Sequence, residues 1–117
     1  MTSRLTEIVV DCTDAERLAE FWCKVLGWVV VERDGDDVEI GDGGTGPTVI
    51  FGPVPDAKTV KNRIHLDVRA VDGNQRAEVE RILRLGAHQV DIGQGNVSWV
   101  VLTDPEGNEF CVLQGAP

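Results

Sequence analysis

The sequence predicts an α+β domain of two βαβββ modules whose mixed sheet is cupped around a central cavity. Three observations carry this expectation. Two amphipathic helical segments each end at a glycine, Gly27 and Gly86, which lie 59 positions apart. The acids that precede them, Asp14 and Asp72, lie 58 apart, so the 117 residues divide into near-equal halves. In each half one strand-like run precedes the helix and three follow it.

The first half begins with an apolar, β-branched run from Leu5 to Val10. Thr13-Asp14-Ala15-Glu16 then has the hydroxyl and the later carboxylate of a capping box. Leu18, Phe21, Trp22, Val25 and Leu26 follow at helical spacing and stop at Gly27. Acids at the start of this helix and Lys24 at its end suit the helix dipole. Strands are expected at residues 28–32, 37–40 and 48–51, separated by the Asp34-Gly35-Asp36 turn and a glycine-rich loop. That loop lacks the Gly-Lys-Ser/Thr ending of a phosphate cradle, so it reads as a turn.

The segment from Gly52 to Asn62 joins the halves. Pro53 and Pro55 break a ladder there, and Lys58 and Lys61 make it locally basic. It reads as a solvated linker, with anion binding at a cavity mouth as the alternative. The second half repeats the order: a strand over 64–70, Asp72 as N-cap, a helix over 76–85 and strands over 87–92, 97–103 and 109–113. Asp104-Pro105-Glu106-Gly107-Asn108 is a tight turn, with proline and glycine where such turns require them. The domain is thus read as 1–117, with module one at about 4–52, a linker at 53–61 and module two at about 62–114.

Period-two alternation assigns faces. Ile8, Val10, Leu66 and Val68 point to the helix side, which sends Glu7, Val9, Asp11, His65, Asp67 and Arg69 to the opposite side. Trp99 is the aromatic expected at the cavity, on a face with Val97, Val101 and Thr103. Phe21 and Trp22 belong to the helix's core stripe.

Composition narrows the partners. Twenty acidic and 11 basic side chains leave a formal charge of -9, which opposes binding to nucleic acid or to an anionic membrane. No run of the sequence is apolar for long enough to span a bilayer, and no signal-peptide pattern opens it. Cys12, Cys23 and Cys111 are odd in number and lack a CxxC pair, so a reducing cytoplasm is the expected setting.

Three stretches carry a resemblance. Phe21-Trp22-Cys23-Lys24-Val25-Leu26-Gly27-Trp28, the run Lys58-Thr59-Val60-Lys61-Asn62-Arg63-Ile64-His65-Leu66-Asp67 and Asp104-Pro105-Glu106-Gly107-Asn108-Glu109-Phe110-Cys111-Val112 resemble a small glyoxalase-like branch of the vicinal oxygen chelate superfamily. That superfamily includes glyoxalase I, extradiol dioxygenases and bleomycin- and fosfomycin-resistance proteins. The resemblance implies the glyoxalase/bleomycin resistance fold and a homodimer. It also implies metal ligands on the first, fifth and last strands, commonly His, His and Glu, with a further position on the fourth strand in glyoxalases.

Those positions fall here on Glu7, His65 and Cys111, and the fourth strand offers only Val49, Ile50 and Phe51. Only His65 keeps the usual residue, so the expectation is a degenerate site with no metal or other cofactor. The substrate-binding residues would then be Glu7, His65, Asp67, Trp99 and Cys111, and His65, oriented by Glu7 or Asp67, would be the catalytic base of any metal-free reaction. His88 reads as structural or exposed. The leading expectation is a glyoxalase-like protein that holds a small oxygen-rich or antibiotic-like molecule. The alternatives are a divalent-metal-dependent lyase, isomerase or dioxygenase, and a ferredoxin-like interaction module.

Overall fold

A computed structural model describes residues 1–117. The chain divides into two compact units, Met1–Ala57 and Lys58–Pro117. The first contains β1 (Glu7–Cys12), α1 (Ala15–Leu26), β2 (Val29–Asp34), β3 (Asp37–Gly41) and β4 (Thr48–Pro53). The second contains β5 (Leu66–Arg69), α2 (Gln75–Leu85), β6 (His88–Gln89), β7 (Val100–Thr103) and β8 (Glu109–Leu113). Each unit is therefore βαβββ, with one helix and one mixed four-stranded sheet. The sheet orders are β1-β4-β3-β2 and β5-β8-β7-β6. No helix is long and apolar enough to cross a membrane.

The equivalence of the units lies in their pairing. β1 runs parallel to β4, from Glu7 opposite Thr48 to Cys12 opposite Pro53. β5 runs parallel to β8, from Leu66 opposite Phe110 to Arg69 opposite Leu113. The remaining pairs in both sheets are antiparallel. A parallel pair cannot be closed by a hairpin, so the chain crosses over between its strands and the helix is part of that crossover.

In the first unit α1 packs on β3 and β4. Its buried stripe is Leu18, Ala19, Phe21, Trp22 and Val25, met by Val38, Ile40, Val49 and Phe51. Phe21 and Trp22 stack edge to face with ring centroids 5.4 Å apart. The helix starts one residue later than the capping-box reading: Asp14, not Thr13, is the N-cap, and its carboxylate accepts the Arg17 N–H at 3.1 Å. Gly27 ends the helix at φ 69°, a left-handed conformation that costs glycine little. β2 is the edge strand opposite β1, exposed along its whole length, with a bulge between Val30 and Glu32.

The second unit is more thinly covered. Ile82 is the one fully buried residue of α2, and Val79, Leu83 and Leu85 are half-buried. Here too the cap differs from expectation. Asn74 accepts the Ala77 N–H at 3.1 Å, while Asp72 accepts the Asn74 N–H at 3.0 Å and shapes the approach. The side-chain amide of Gln75 donates to the carbonyls of Ser98 and Val112, both at 2.9 Å, which ties the start of the helix to β8. The strand expected over 87–92 shortens to His88–Gln89, and that expected over 97–103 shortens to Val100–Thr103. Gly93 and Gly95 take positive φ between them and turn the chain off the ladder.

Two polar clusters fix the approach to β8. Asp104 is only 2% exposed, and its carboxylate accepts the N–H groups of Glu106 and Asn108 at 2.9 and 3.0 Å and also the Asn108 amide. Glu109 is bound by the Lys58 ammonium at 2.9 Å and by the Asn62 N–H at 3.1 Å. The Asn62 amide also donates to Asn108 at 2.9 Å. The segment read as a solvated linker is therefore docked on the second sheet from Lys58 to Asn62.

These clusters give two predictions. Asp104→Ala strands two backbone N–H groups in a half-buried turn, and should lower unfolding stability in urea by about 1–3 kcal/mol. A change within a few tenths would contradict this role. At Glu109 burial alone would raise the carboxyl, but the Lys58 hydrogen bond and the backbone N–H of Asn62 outweigh it and hold the pKa below its ordinary 4.5. A depressed folded pKa means that this stabilisation is present above pH 4.5 and is lost as pH falls through the lower folded value. Glu109→Gln should therefore be less stable than the parent at pH 7 by about 1.5–3 kcal/mol. The gap should narrow in urea titrations taken toward pH 3; a gap that stays constant would contradict the linkage.

Candidate functional site

The site grows from the register of β5 on β8. Asp67 pairs directly with Cys111 across the parallel ladder, so their side chains share a face. His65 lies two residues before Asp67, just ahead of the strand, and shares that face. Leu66 and Val68 point the other way and are half-buried, as alternation requires. One donor atom from each of His65, Asp67 and Cys111 lies within 4.8 Å of the other two. The His65 Nε2 is 3.2 Å from an Asp67 carboxylate oxygen.

Exposure grades across this cluster. The His65 and Asp67 side chains are 44% and 47% exposed and form its rim, while Cys111 is 5% exposed and forms its floor. Burial pushes the Cys111 thiol up, and the charge and hydrogen bond of Asp67 push it further. Lys61 acts in the opposite sense, which brings a positive charge into the cluster's field. Without a metal the thiol is therefore protonated near neutral pH and a poor nucleophile. Glu109 shares the face two residues before Cys111, but its carboxylate is committed to Lys58 and Asn62.

The donor set fits a divalent ion. Zinc binds sulfur at about 2.3 Å and nitrogen or oxygen at about 2.0–2.2 Å, so tetrahedral donors sit roughly 3.3–3.8 Å apart. The donors lie within 4.8 Å of one another, and the half-exposed His65 and Asp67 side chains have room to adjust. Three protein donors also leave a coordination position for a bound molecule.

The other sequence-predicted site residues fall elsewhere. Glu7 is exposed on β1 in the first unit, where its carboxylate accepts the Thr6 hydroxyl. Trp99 precedes β7 instead of lying within it and is 41% exposed. Val49 and Phe51 are buried in the core of the first unit, in keeping with a fourth strand that offers no donor. His88 is exposed on β6, where its carbonyl accepts the Thr103 hydroxyl at 3.5 Å. An open groove of about 710 Å³ runs between α1 and β2, lined in part by Cys23, Trp28, Val29 and the Arg33–Glu16 ion pair, and it includes none of the three clustered donors. Asp67 was expected to contact substrate or orient His65; its place directly beside Cys111 depends on the strand register, which period-two alternation does not supply.

Comparison with known proteins places this geometry in a family. No curated protein matches the chain by sequence. Among solved structures, a glyoxalase/bleomycin resistance protein/dioxygenase family enzyme from Burkholderia phytofirmans PsJN superposes with a TM-score of 0.76 at 17% identity, over 94% of this chain and 97% of that one. The fosfomycin resistance protein FosX from Mesorhizobium loti gives 0.74 at 15% identity, over 99% and 94%. A FosX mutant from Listeria monocytogenes, complexed with Mn(II) and 1S,2S-dihydroxypropylphosphonic acid, gives 0.75 at 17% identity, over 99% and 93%. At these identities the likeness establishes the fold. The profile of the Glyoxalase-like domain matches residues 7–113, nearly the whole sequence. The chain belongs to the Glyoxalase-like domain family.

Proposed function

We propose that the face shared by His65, Asp67 and Cys111 on β5 and β8 binds a small oxygen-rich molecule, with a divalent metal ion held by those three residues. The observation that carries this reading is the convergence of three chemically different donors within 4.8 Å. The sequence alone favoured a site without metal, because Glu7 and Cys111 stand where the superfamily commonly has His and Glu. Asp67 shifts that balance by supplying a carboxylate from within the second unit.

Each residue has a distinct part. Cys111 anchors the floor of the site through a short, buried side chain. His65 and Asp67 hold the rim, where a ligand arrives from solvent. Lys61 adds a positive charge suited to an anionic oxygen. The metal would supply Lewis acidity to the oxygens of the bound molecule. The FosX complex with Mn(II) and a dihydroxypropylphosphonic acid supports the pairing of a metal with an oxygen-rich ligand on this fold. The reading includes a homodimer, as the family resemblance implies, and a cytoplasmic setting, as three cysteines without a CxxC pair suggest.

A second reading rests on the 3.2 Å contact between His65 and Asp67. In it the carboxylate orients the imidazole as a general base, and the same face binds the ligand without metal. Here the protonated Cys111 serves only as packing.

Metal analysis separates the two. Protein purified without chelator should carry about one equivalent of a divalent transition metal per chain, and His65→Ala and Asp67→Ala should each lose most of it. Removing the metal should lower the thermal midpoint, and adding it back should restore it. Protein that neither carries nor is stabilised by manganese, iron, cobalt, nickel or zinc would refute the metal reading and leave the base reading.

A further inference from the structure

We infer that Cys111 coordinates as a thiolate and makes this a site for zinc-class ions instead of hard, oxygen-seeking ones. The inference rests on the metal reading above and concerns which ion the chain selects. A set of one imidazole, one carboxylate and one thiol differs from an all-nitrogen and oxygen set in its single soft donor. Thiolate suits zinc and chemically similar cobalt, whereas manganese and magnesium favour carboxylate, carbonyl and water.

Position supports the assignment. Cys111 is paired with Asp67 in the register of two hydrogen-bonded strands, so backbone geometry holds its Sγ on the same face as the carboxylate. The only other acid on that face of β8, Glu109, is committed to Lys58 and Asn62 and cannot take the place of the sulfur. Coordination through sulfur would replace the S–H bond by a metal–sulfur bond and release the proton to solvent. A thiolate and the Asp67 carboxylate would together offer two anionic donors to match the double charge of the ion. A thiol that stayed protonated would leave one uncompensated positive charge on a largely buried floor.

Cobalt(II) tests this through a readout other than activity. The chelator-stripped full chain is titrated with cobalt and its near-ultraviolet absorption recorded. A thiolate-to-cobalt charge-transfer band that saturates at one equivalent, and is missing in Cys111→Ser, is the expected result. Competition dialysis against equal zinc and manganese supplies a second measurement, which does not depend on a spectroscopic band. Affinities rise from manganese to zinc at most nitrogen and oxygen sites, so the preference is compared with that of Cys111→Asp. The zinc-to-manganese ratio should fall by at least about tenfold when carboxylate replaces sulfur. Cobalt binding without the band, or an unchanged ratio in Cys111→Asp, would overturn the inference and leave the metal reading standing. Failure of cobalt, zinc and manganese alike to bind would overturn both.

Discussion

Parallel pairing of the first and last strands of each unit is the constraint on which the structure depends. β1 lies along β4, and β5 along β8. A parallel pair forces a crossover, and the crossover places a helix in the chain between them. The antiparallel strands then complete a sheet whose first strand is at its edge. In the second unit the same pairing sets Asp67 beside Cys111, with His65 two residues away on that face. A slip of one residue would turn Cys111 to the other side of the sheet and dissolve the cluster.

The polar network before β8 protects that register. Asp104 closes the turn from within the protein, where its lost hydration is replaced by two backbone N–H groups and an amide. Lys58 and Asn62 then grip Glu109, the first residue of β8. Between them these contacts fix both where β8 starts and how residues 58–62 approach β5. They also occupy the other carboxylate on the site's face. The donors that remain are a mixed set of imidazole, carboxylate and thiol, whose exposure falls from rim to floor.

Much of the fold was legible from local signals. Gly27 and Gly86 marked the helix ends, because each takes a positive φ that other residues resist. Alternation set Leu66 and Val68 against His65 and Asp67 correctly, because the period of a strand follows from its backbone. Finer boundaries were less legible. Asp14 displaced Thr13, and Asn74 displaced Asp72, since neighbouring hydroxyl, carboxylate and amide groups compete for the same cap. The strands flanking Gly93 and Gly95 were read too long, because β propensity does not register where two positive-φ glycines turn the chain away. The candidate cluster was half legible: His65, Asp67 and Cys111 stood out in the sequence one by one, but their convergence depends on a pairing that spans more than forty residues. The bond from Lys58 to Glu109 was illegible for the same reason.

The metal reading requires that His65, Asp67 and Cys111 share one ion. Anomalous diffraction at the zinc edge, from crystals of the zinc-loaded protein, tests it most directly. The account predicts a single strong peak about 2.0–2.2 Å from a His65 ring nitrogen and an Asp67 oxygen, and about 2.3 Å from the Cys111 sulfur. A peak bound elsewhere, or density that leaves Cys111 outside the coordination shell, would contradict it.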